Sequence, residues 1–233
     1  FVFLGIRGGV GRSTANVGMV YYSQNQFLNH SAVNPVFSLF SSMKKSQDFS
    51  KMVRFFPASQ CDSIYDSLLF SSQSTSVDTL LNTSRPNILI IIAESFGGTF
   101  VGAMGNHDNI TPNFDALTKE GVFFTDFYAN SYRTDRGVLS ILSGYPAFPK
   151  ASVMKLPAAS RNLPSIGLSL RRNGYVNNFL YGGDINFTNM QSYLRSTGYS
   201  NVIGDTKFTP AQRLTHGWGV TDSITFNYLY DML

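Results

Sequence analysis

The most apolar segment of the chain is Asn87–Ala93, an almost unbroken run of isoleucine and leucine that ends at the acidic Glu94. Continuous β-branched runs are typical of a strand that is buried on both faces of a mostly parallel sheet. The pattern therefore predicts a strand over Ile88–Ala93. A second, aromatic-rich strand is predicted over Val122–Tyr128.

Helical patterns alternate with these apolar runs, and each begins or ends at residues that commonly bound helices, such as threonine, proline and glycine. The predicted helices are Pro112–Glu120, Asp135–Leu142, Pro164–Asn173 and Phe187–Thr197, and the further predicted strands are Tyr175–Tyr181 and Asn201–Ile203. Strands and helices that alternate with short connections predict an α/β fold with a doubly wound, mostly parallel sheet.

The first third of the chain lacks this regular pattern. It is rich in serine, asparagine, glycine and phenylalanine, with short helical patterns over Pro35–Met43 and Ile64–Phe70. The segment Ser71–Ser76 has the composition of a linker. We therefore predict an irregular arm over residues 1–80 and a main domain over residues 81–233, with the boundary between about 76 and 86.

Composition excludes some functions. With 233 residues, 43% hydrophobic and 14% charged, the chain is long enough and apolar enough to fold. The net charge of +4 comes from scattered lysines and arginines. Binding to nucleic acid as the main function needs a clustered basic surface, so it is not expected. Cys61 is the single cysteine, which excludes an internal disulfide.

Glu94 is the first candidate for chemistry. In open α/β sheets, ligands bind beyond the carboxyl ends of the strands, and Glu94 directly follows the predicted buried strand. A carboxylate in such a place must be paired, hydrogen-bonded or bound to a metal, because an isolated buried charge is costly. Glu94 is therefore either a metal ligand or a capped or salt-bridged residue at the end of a strand.

Thr134 is the second candidate. It precedes a predicted helix, where a hydroxyl can act simply as the N-cap. The same place lies at the positive end of the helix dipole, where backbone amides can bind an oxyanion. Arg133 and Arg136 flank Thr134 and could add positive charge. A threonine hydroxyl needs a base or a metal before it can attack, and Glu94 could bind that metal.

Four segments together resemble a known family. They are Pro86–Ser95, Thr111–Leu117, Gly121–Phe124 and Leu142–Pro146. Over about residues 86–222 the chain resembles the sulfatase-like branch of the alkaline phosphatase superfamily, and within it the lipoteichoic acid synthases, which are membrane-bound phosphoglycerol transferases. The resemblance implies an alkaline phosphatase-like fold. It also implies a divalent metal, manganese with magnesium or zinc as alternatives, bound by Glu94 and by the nucleophile Thr134.

The chain departs from its relatives at two places. True sulfatases carry a Cys-x-Pro-x-Arg segment whose cysteine becomes the nucleophile, whereas this chain has Thr134–Gly137 there, which disfavours hydrolysis of sulfate esters. In Tyr181–Met190, Phe187 matches the family residue that holds glycerol phosphate, but Met190 replaces the arginine that would clamp its phosphate. The identity of the transferred group is therefore open.

The substrate and metal sites have further predicted members. Phe187, Arg136 and Trp218 are predicted to bind substrate, Trp218 in a turn that follows His216. The family also uses an Asp-His pair as metal ligands, and no such pair follows Trp218. We expect it beyond Leu233, so that the fold is incomplete at its C-terminus and this fragment is inactive.

The leading prediction is the transfer of a substituted phosphoryl group from a phospholipid to a hydroxyl of a glycan or lipid acceptor, through a phospho-threonine. The family resemblance implies membrane attachment through N-terminal helices absent here and a catalytic domain on the extracytoplasmic side of the cell membrane. One alternative is a phosphodiesterase, phosphatase or sulfuric-ester hydrolase of the same superfamily. Another is a non-catalytic module that binds lipid or glycan.

Overall fold

The computed structural model describes residues 2–10, 13–45, 56–69, 81–148, 151–214 and 217–233. One compact unit comprises Phe1–Lys44 with Glu94–Leu233, and a second comprises Lys45–Ala93. The predicted linker Ser71–Ser76 lies outside the described residues. The predicted division into 1–80 and 81–233 stays a prediction.

Short helices make up most of the regular structure in the described ranges. The α-helices are α1 (Val2–Arg7), α2 (Gln26–Ser31), α3 (Pro35–Lys45), α4 (Ala58–Leu69), α5 (Pro112–Leu117), α6 (Thr134–Ser143), α7 (Pro157–Ser160), α8 (Ile166–Arg172), α9 (Met190–Ser196), α10 (Pro210–Leu214) and α11 (Asp222–Met232). Single 3₁₀ turns lie at Val17–Val20, Gly98–Phe100, Gly102–Met104, Val153–Lys155, Phe187–Asn189 and Asp205–Lys207. No helix in the described part of the chain combines the length and apolar character needed to cross a membrane.

The sheet found in the described residues has two parallel strands, β1 (Asn178–Leu180) and β2 (Asn201–Ile203). Phe179 pairs with Val202 at the middle of the register. The connection between the strands contains α9, so this part of the chain forms a strand–helix–strand unit with parallel strands. It confirms the two strands and the helix that the sequence predicts over 175–203.

The core lies around α9. Met190, Tyr193 and Leu194 are fully buried, in the helical spacing that places them on one face. The Tyr193 hydroxyl lies 2.6 Å from Ser143 Oγ, at the end of α6. Burial raises the pKa of Tyr193 to about 12, although its hydrogen bond to Ser143 lowers it. Thus α9 connects the two-stranded sheet to α6, the helix that begins at Thr134.

Helix α6 agrees with its predicted bounds within one residue at each end. Val138, Leu139 and Leu142 are buried, and Gly144 ends the helix with a φ of +62° and an N–H donated to the Ser140 carbonyl at 2.9 Å. Glycine adopts this left-handed conformation without steric cost, which explains why the helix ends there.

Two predicted strands, Ile88–Ala93 and Val122–Tyr128, are wrong for this structure. Neither segment forms a strand, and both expose large apolar side chains, among them Ile90, Phe124 and Phe127. A strand buried on both faces needs hydrogen-bonded neighbours and covering layers, and the described residues pair no strand with either segment. β-Propensity alone does not form a strand, because it reflects packing against neighbours. The predicted doubly wound sheet is therefore not seen in the described residues.

Candidate active site

Thr134 is the first residue of α6, and Arg133 occupies the N-cap position before it. The Arg133 carbonyl accepts the N–H groups of Arg136 at 3.1 Å and Gly137 at 2.8 Å. The Arg133 side chain makes no capping hydrogen bond. The structure therefore does not place Thr134 at the N-cap, which was the simpler interpretation of this residue. Its hydroxyl lies in the first turn of a ten-residue helix, at the positive end of the dipole.

A cavity of about 790 Å³ brings Thr134 together with Glu94, Phe187 and Trp218. These are four of the five residues that the sequence predicts for the site. The structure brings these four side chains to one cavity, and their roles as metal ligands, nucleophile and substrate contacts stay predictions.

Arg136 is the predicted site residue that the structure places elsewhere. It lines a neighbouring cleft of about 10 Å³, together with Tyr145, Phe148 and Ala151, and Asp135 borders both this cleft and the larger cavity. The reason is the helical turn: residues 134 and 136 differ by about 200° around the α6 axis, so their side chains leave the helix in different directions.

Glu94 lies at a sharp change of chain direction. Ser95 follows it with a φ of +59°, and the Gly97 N–H donates to the Ser95 carbonyl at 3.1 Å. A non-glycine residue in the left-handed region is strained. This turn leaves Glu94 exposed at the surface of the cavity.

Asp135 is the buried charge next to Thr134, with 1% of its side chain exposed. Arg133 Nε lies 3.7 Å from its Oδ1, and Lys155 Nζ lies 3.6 Å from its Oδ2. Neither carboxylate oxygen has a hydrogen-bond partner in the described structure, so the two cations compensate the charge at ion-pair distance. Asp135 thereby holds Arg133 beside Thr134.

Tyr181 and Asp184 also line the cavity, and sequence reasoning missed both. The pKa of Tyr181 is raised to about 12, mainly by burial and further by the negative charges of Glu94 and Asp184. Glu94 and Asp184 line the same cavity as the phenol. Tyr181 follows β1, and its N–H donates to the Ile203 carbonyl at 2.9 Å. Tyr181 and Asp184 both lie at the carboxyl end of a strand, where ligands bind in open α/β sheets, and this position was the feature by which the sequence could have identified them.

Glycines bring Trp218 next to this segment. Gly183 forms an antiparallel bridge with Gly219, whose φ is +142°. A Cβ on Gly183 would lie 2.8 Å from the Tyr181 ring and 3.1 Å from the Trp218 carbonyl. The absence of side chains therefore permits the close approach that places Trp218 on the cavity. The neighbouring His216 lies outside the described residues.

The cavity offers oxygen donors to a metal. Glu94 and Asp184 contribute carboxylates and Thr134 a hydroxyl, and hard divalent cations prefer such ligands. However, no group of three or more His, Cys, Asp or Glu side chains in the described ranges could hold a metal ion. The residues present therefore fit part of a ligand set.

Comparison with known proteins gives consistent results. Residues 86–233 match the sulfatase family model. Arylsulfatase G of Rattus norvegicus is 27% identical over 60% of this chain and 23% of its own length. Arylsulfatase A of Bos taurus is 45% identical over 21% of this chain and 10% of its own length.

A solved structure of a protein in the alkaline phosphatase superfamily, from Vibrio parahaemolyticus, aligns with a TM-score of 0.53 and 33% identity. The alignment covers 58% of this chain and 33% of that one. The chain thus spans a third or less of these relatives, while the family model matches more than half of the chain. This chain belongs to the sulfatase family, within the alkaline phosphatase superfamily.

Proposed function

We propose that the whole protein is an enzyme that cleaves a phosphoric or sulfuric ester, with Thr134 as the nucleophile. One observation carries the proposal. Thr134, at the start of α6, and Glu94 line the same cavity in a chain of the sulfatase family. The cavity is large enough for a headgroup or an aryl ester, since small-molecule sites commonly measure about 300–1,000 Å³.

Thr134 Oγ1 attacks the phosphorus or sulfur atom, and the bond to the leaving oxygen breaks. The proton that Thr134 loses is balanced by the proton that the departing alcohol gains. Water or an acceptor hydroxyl then attacks the same atom, and the bond to Thr134 Oγ1 breaks as its proton returns. Backbone amides at the start of α6 favour the negative charge that develops. A divalent metal, manganese with magnesium or zinc as alternatives, would be held by Glu94 and Thr134 and would supply Lewis-acid activation of the hydroxyl.

Two finer functions are compatible with this chemistry. Hydrolysis of sulfuric esters is supported by the named relatives, which are arylsulfatases. Transfer of a phosphoglycerol-like group from a phospholipid to a glycan or lipid hydroxyl is supported by Thr134, which stands where true sulfatases have a cysteine. The comparisons favour the hydrolase, and the nucleophile favours phosphoryl chemistry.

The transfer proposal has consequences for the whole protein. It places the catalytic domain on the extracytoplasmic side of a cell membrane, with residues 1–80 as the arm towards that membrane. It also implies the doubly wound sheet of an alkaline phosphatase-like domain. The superfamily match at a TM-score of 0.53 supports that fold.

The test compares products and variants of the full-length protein. An aryl sulfate, an aryl phosphodiester, and phospholipid vesicles with a glycan acceptor are incubated with wild type, Thr134→Ala and Thr134→Ser. We expect Thr134→Ala to lower kcat roughly a thousandfold or more on the true substrate, and Thr134→Ser to keep part of it. Thr206→Ala is the matched control, because Thr206 is exposed and lies in a 3₁₀ turn outside the lining of the cavity.

The products separate the candidates. Free sulfate indicates the hydrolase, and transfer of the headgroup to the glycan indicates the transferase. The wild-type protein could instead bind lipid or glycan without turning over any of these compounds, and Thr134→Ala could bind equally well. That result would support the binding module and contradict the proposed chemistry.

A further inference from the structure

Residues 2–10 and 13–31 belong to the same compact unit as the residues that line the cavity. Asn16 Nδ2 donates to the Asn186 carbonyl at 3.0 Å, and the Gly18 N–H donates to Asn189 Oδ1 at 3.1 Å. Both acceptors flank Phe187, which lines the cavity. Residues 2–10 and 13–31 are called the docked arm below.

Gly18 makes the contact possible. A Cβ at this position would lie 2.7 Å from Asn189 Oδ1 and 2.9 Å from Ser192 Oγ. Further along, Gln191 Nε2 donates to the carbonyl of the buried Tyr21 at 2.7 Å. The docked arm is therefore fixed by close packing and several hydrogen bonds, and a larger side chain at position 18 would displace it.

The same contacts fix Arg7. The Ala15 N–H donates to the Arg7 carbonyl at 2.8 Å, one residue before the anchored Asn16. Gly8 has a φ of +85°, and a Cβ there would collide with Ala15. The chain thus closes on itself next to Asn16, which places Arg7 and Ser13 on the cavity with Thr134.

The cavity needs a cation for an anionic ester. Among the described residues that line it, Arg133 lies beside Thr134 and Arg7 comes from the docked arm. Met190, at the position of the family's clamping arginine, is fully buried and lines no part of the cavity. A guanidinium is suited to bidentate binding of phosphate or sulfate oxygens. Ser13 Oγ adds a buried hydroxyl with no hydrogen-bond partner among the described residues.

We infer that the docked arm is part of the substrate site and that Arg7, with Ser13 beside it, binds the tetrahedral oxyanion of the ester. The inference rests on the proposed function and names a second contribution to the same site. The clamp that position 190 does not provide is supplied from the arm.

The test measures binding of inorganic phosphate and inorganic sulfate to the purified full-length protein by calorimetry, and kcat and KM on the preferred ester. Arg7→Ala is expected to raise the Kd of the oxyanion about tenfold to a hundredfold and to raise KM more than it lowers kcat. Arg7→Lys should recover part of the loss. Arg172→Ala, in the exposed last turn of α8, should bind as wild type does.

Gly18→Val tests the arm independently. It should weaken oxyanion binding as Arg7→Ala does and increase amide exchange in residues 15–21, whereas Gly5→Ala, where a Cβ meets nothing within 4 Å, should do neither. Wild-type Kd values in both Arg7→Ala and Gly18→Val would overturn the inference. The proposed function would survive that result if Thr134→Ala abolished turnover. If turnover does not depend on Thr134, the proposed function fails, whatever Arg7 contributes to oxyanion binding.

Discussion

Two regions with similar apolar patterns behave differently in this molecule. In residues 163–208, β1, α9 and β2 enclose a core in which Met190 and Tyr193 are fully buried. In residues 81–130, apolar runs that include the most apolar segment of the chain leave Ile90 and Phe127 exposed. The first region contains both strands of its sheet within about 30 residues, so each strand has its hydrogen-bonded partner nearby in the sequence. The second has no hydrogen-bonded neighbour strand in the described residues. An apolar run alone therefore does not become a strand.

The largest expected contrast is between two aromatic residues. Tyr193→Ala should destabilise the protein by about 4 kcal/mol, because it leaves a cavity in the core and removes the contact with Ser143. Phe127→Ala should change the free energy of unfolding by less than about 0.5 kcal/mol, since Phe127 is 81% exposed. Urea unfolding of the two variants measures the difference. Equal losses would show that the second region is also packed.

The next contrast uses two glycines. Gly198 has a φ of +98°, and a Cβ would lie 2.8 Å from the Gly167 backbone. Gly198→Ala should cost about 2 kcal/mol from strain and collision. Gly121→Ala, where a Cβ meets nothing within 4 Å, should stay within about 0.5 kcal/mol of wild type. Thermal unfolding checks both, and a neutral Gly198→Ala would contradict the tight packing of α8 against the end of α9.

A smaller effect is expected at the start of α8. Ser165 Oγ accepts from the Leu168 N–H at 3.0 Å and donates to the Thr197 carbonyl at 2.7 Å. Ser165→Ala should cost about 1 kcal/mol, the usual loss of an N-cap. Ser169→Ala, on the exposed side of the same helix, should cost nothing measurable. The midpoint of urea unfolding measures both effects. A Ser165→Ala midpoint equal to that of Ser169→Ala would show that the Ser165 cap does not stabilise the helix.

The smallest effect concerns charge at the site. The pKa of Tyr181 is raised to about 12, with burial as the largest cause and Glu94 next. Glu94→Gln should therefore lower this pKa in part, while Glu120→Gln, at an exposed position, should not change it. Absorbance titration at alkaline pH, with Tyr181→Phe to assign the signal, measures the change. If the pKa of Tyr181 were unchanged in Glu94→Gln, the charge of Glu94 would not contribute to raising it.

The same tyrosine predicts a pH dependence of stability. Because the folded pKa is higher than the unfolded value of 10, the folded state keeps its proton longer. Its contribution to stability is complete below pH 10 and is lost as the pH rises from 10 through about 12. Tyr181→Phe should reduce that loss in urea unfolding at high pH. An identical loss in wild type and variant would show that Tyr181 contributes none of it.

Features that depend on neighbouring residues could be predicted from the sequence better than features that depend on residues far apart in the chain. The end of α6 at Gly144 and the start of α8 near Ser165 follow from residues within a turn of each helix end. The failed strands depend on partners far away in sequence. At the cavity, Glu94 and Thr134 were predicted from neighbouring motifs, and both line it. Arg7 was missed because it reaches the cavity from a segment more than 120 residues before Thr134, which no local pattern reveals.

Intact-mass analysis of the full-length protein, quenched rapidly during turnover of its preferred ester, tests directly whether Thr134 is the nucleophile. We expect a transient mass increase equal to the transferred phosphoryl or sulfuryl group, located at Thr134 by peptide mapping and absent in Thr134→Ala. Turnover without any adduct, or an adduct on a different residue while Thr134→Ala remains active, would show that Thr134 is not the nucleophile.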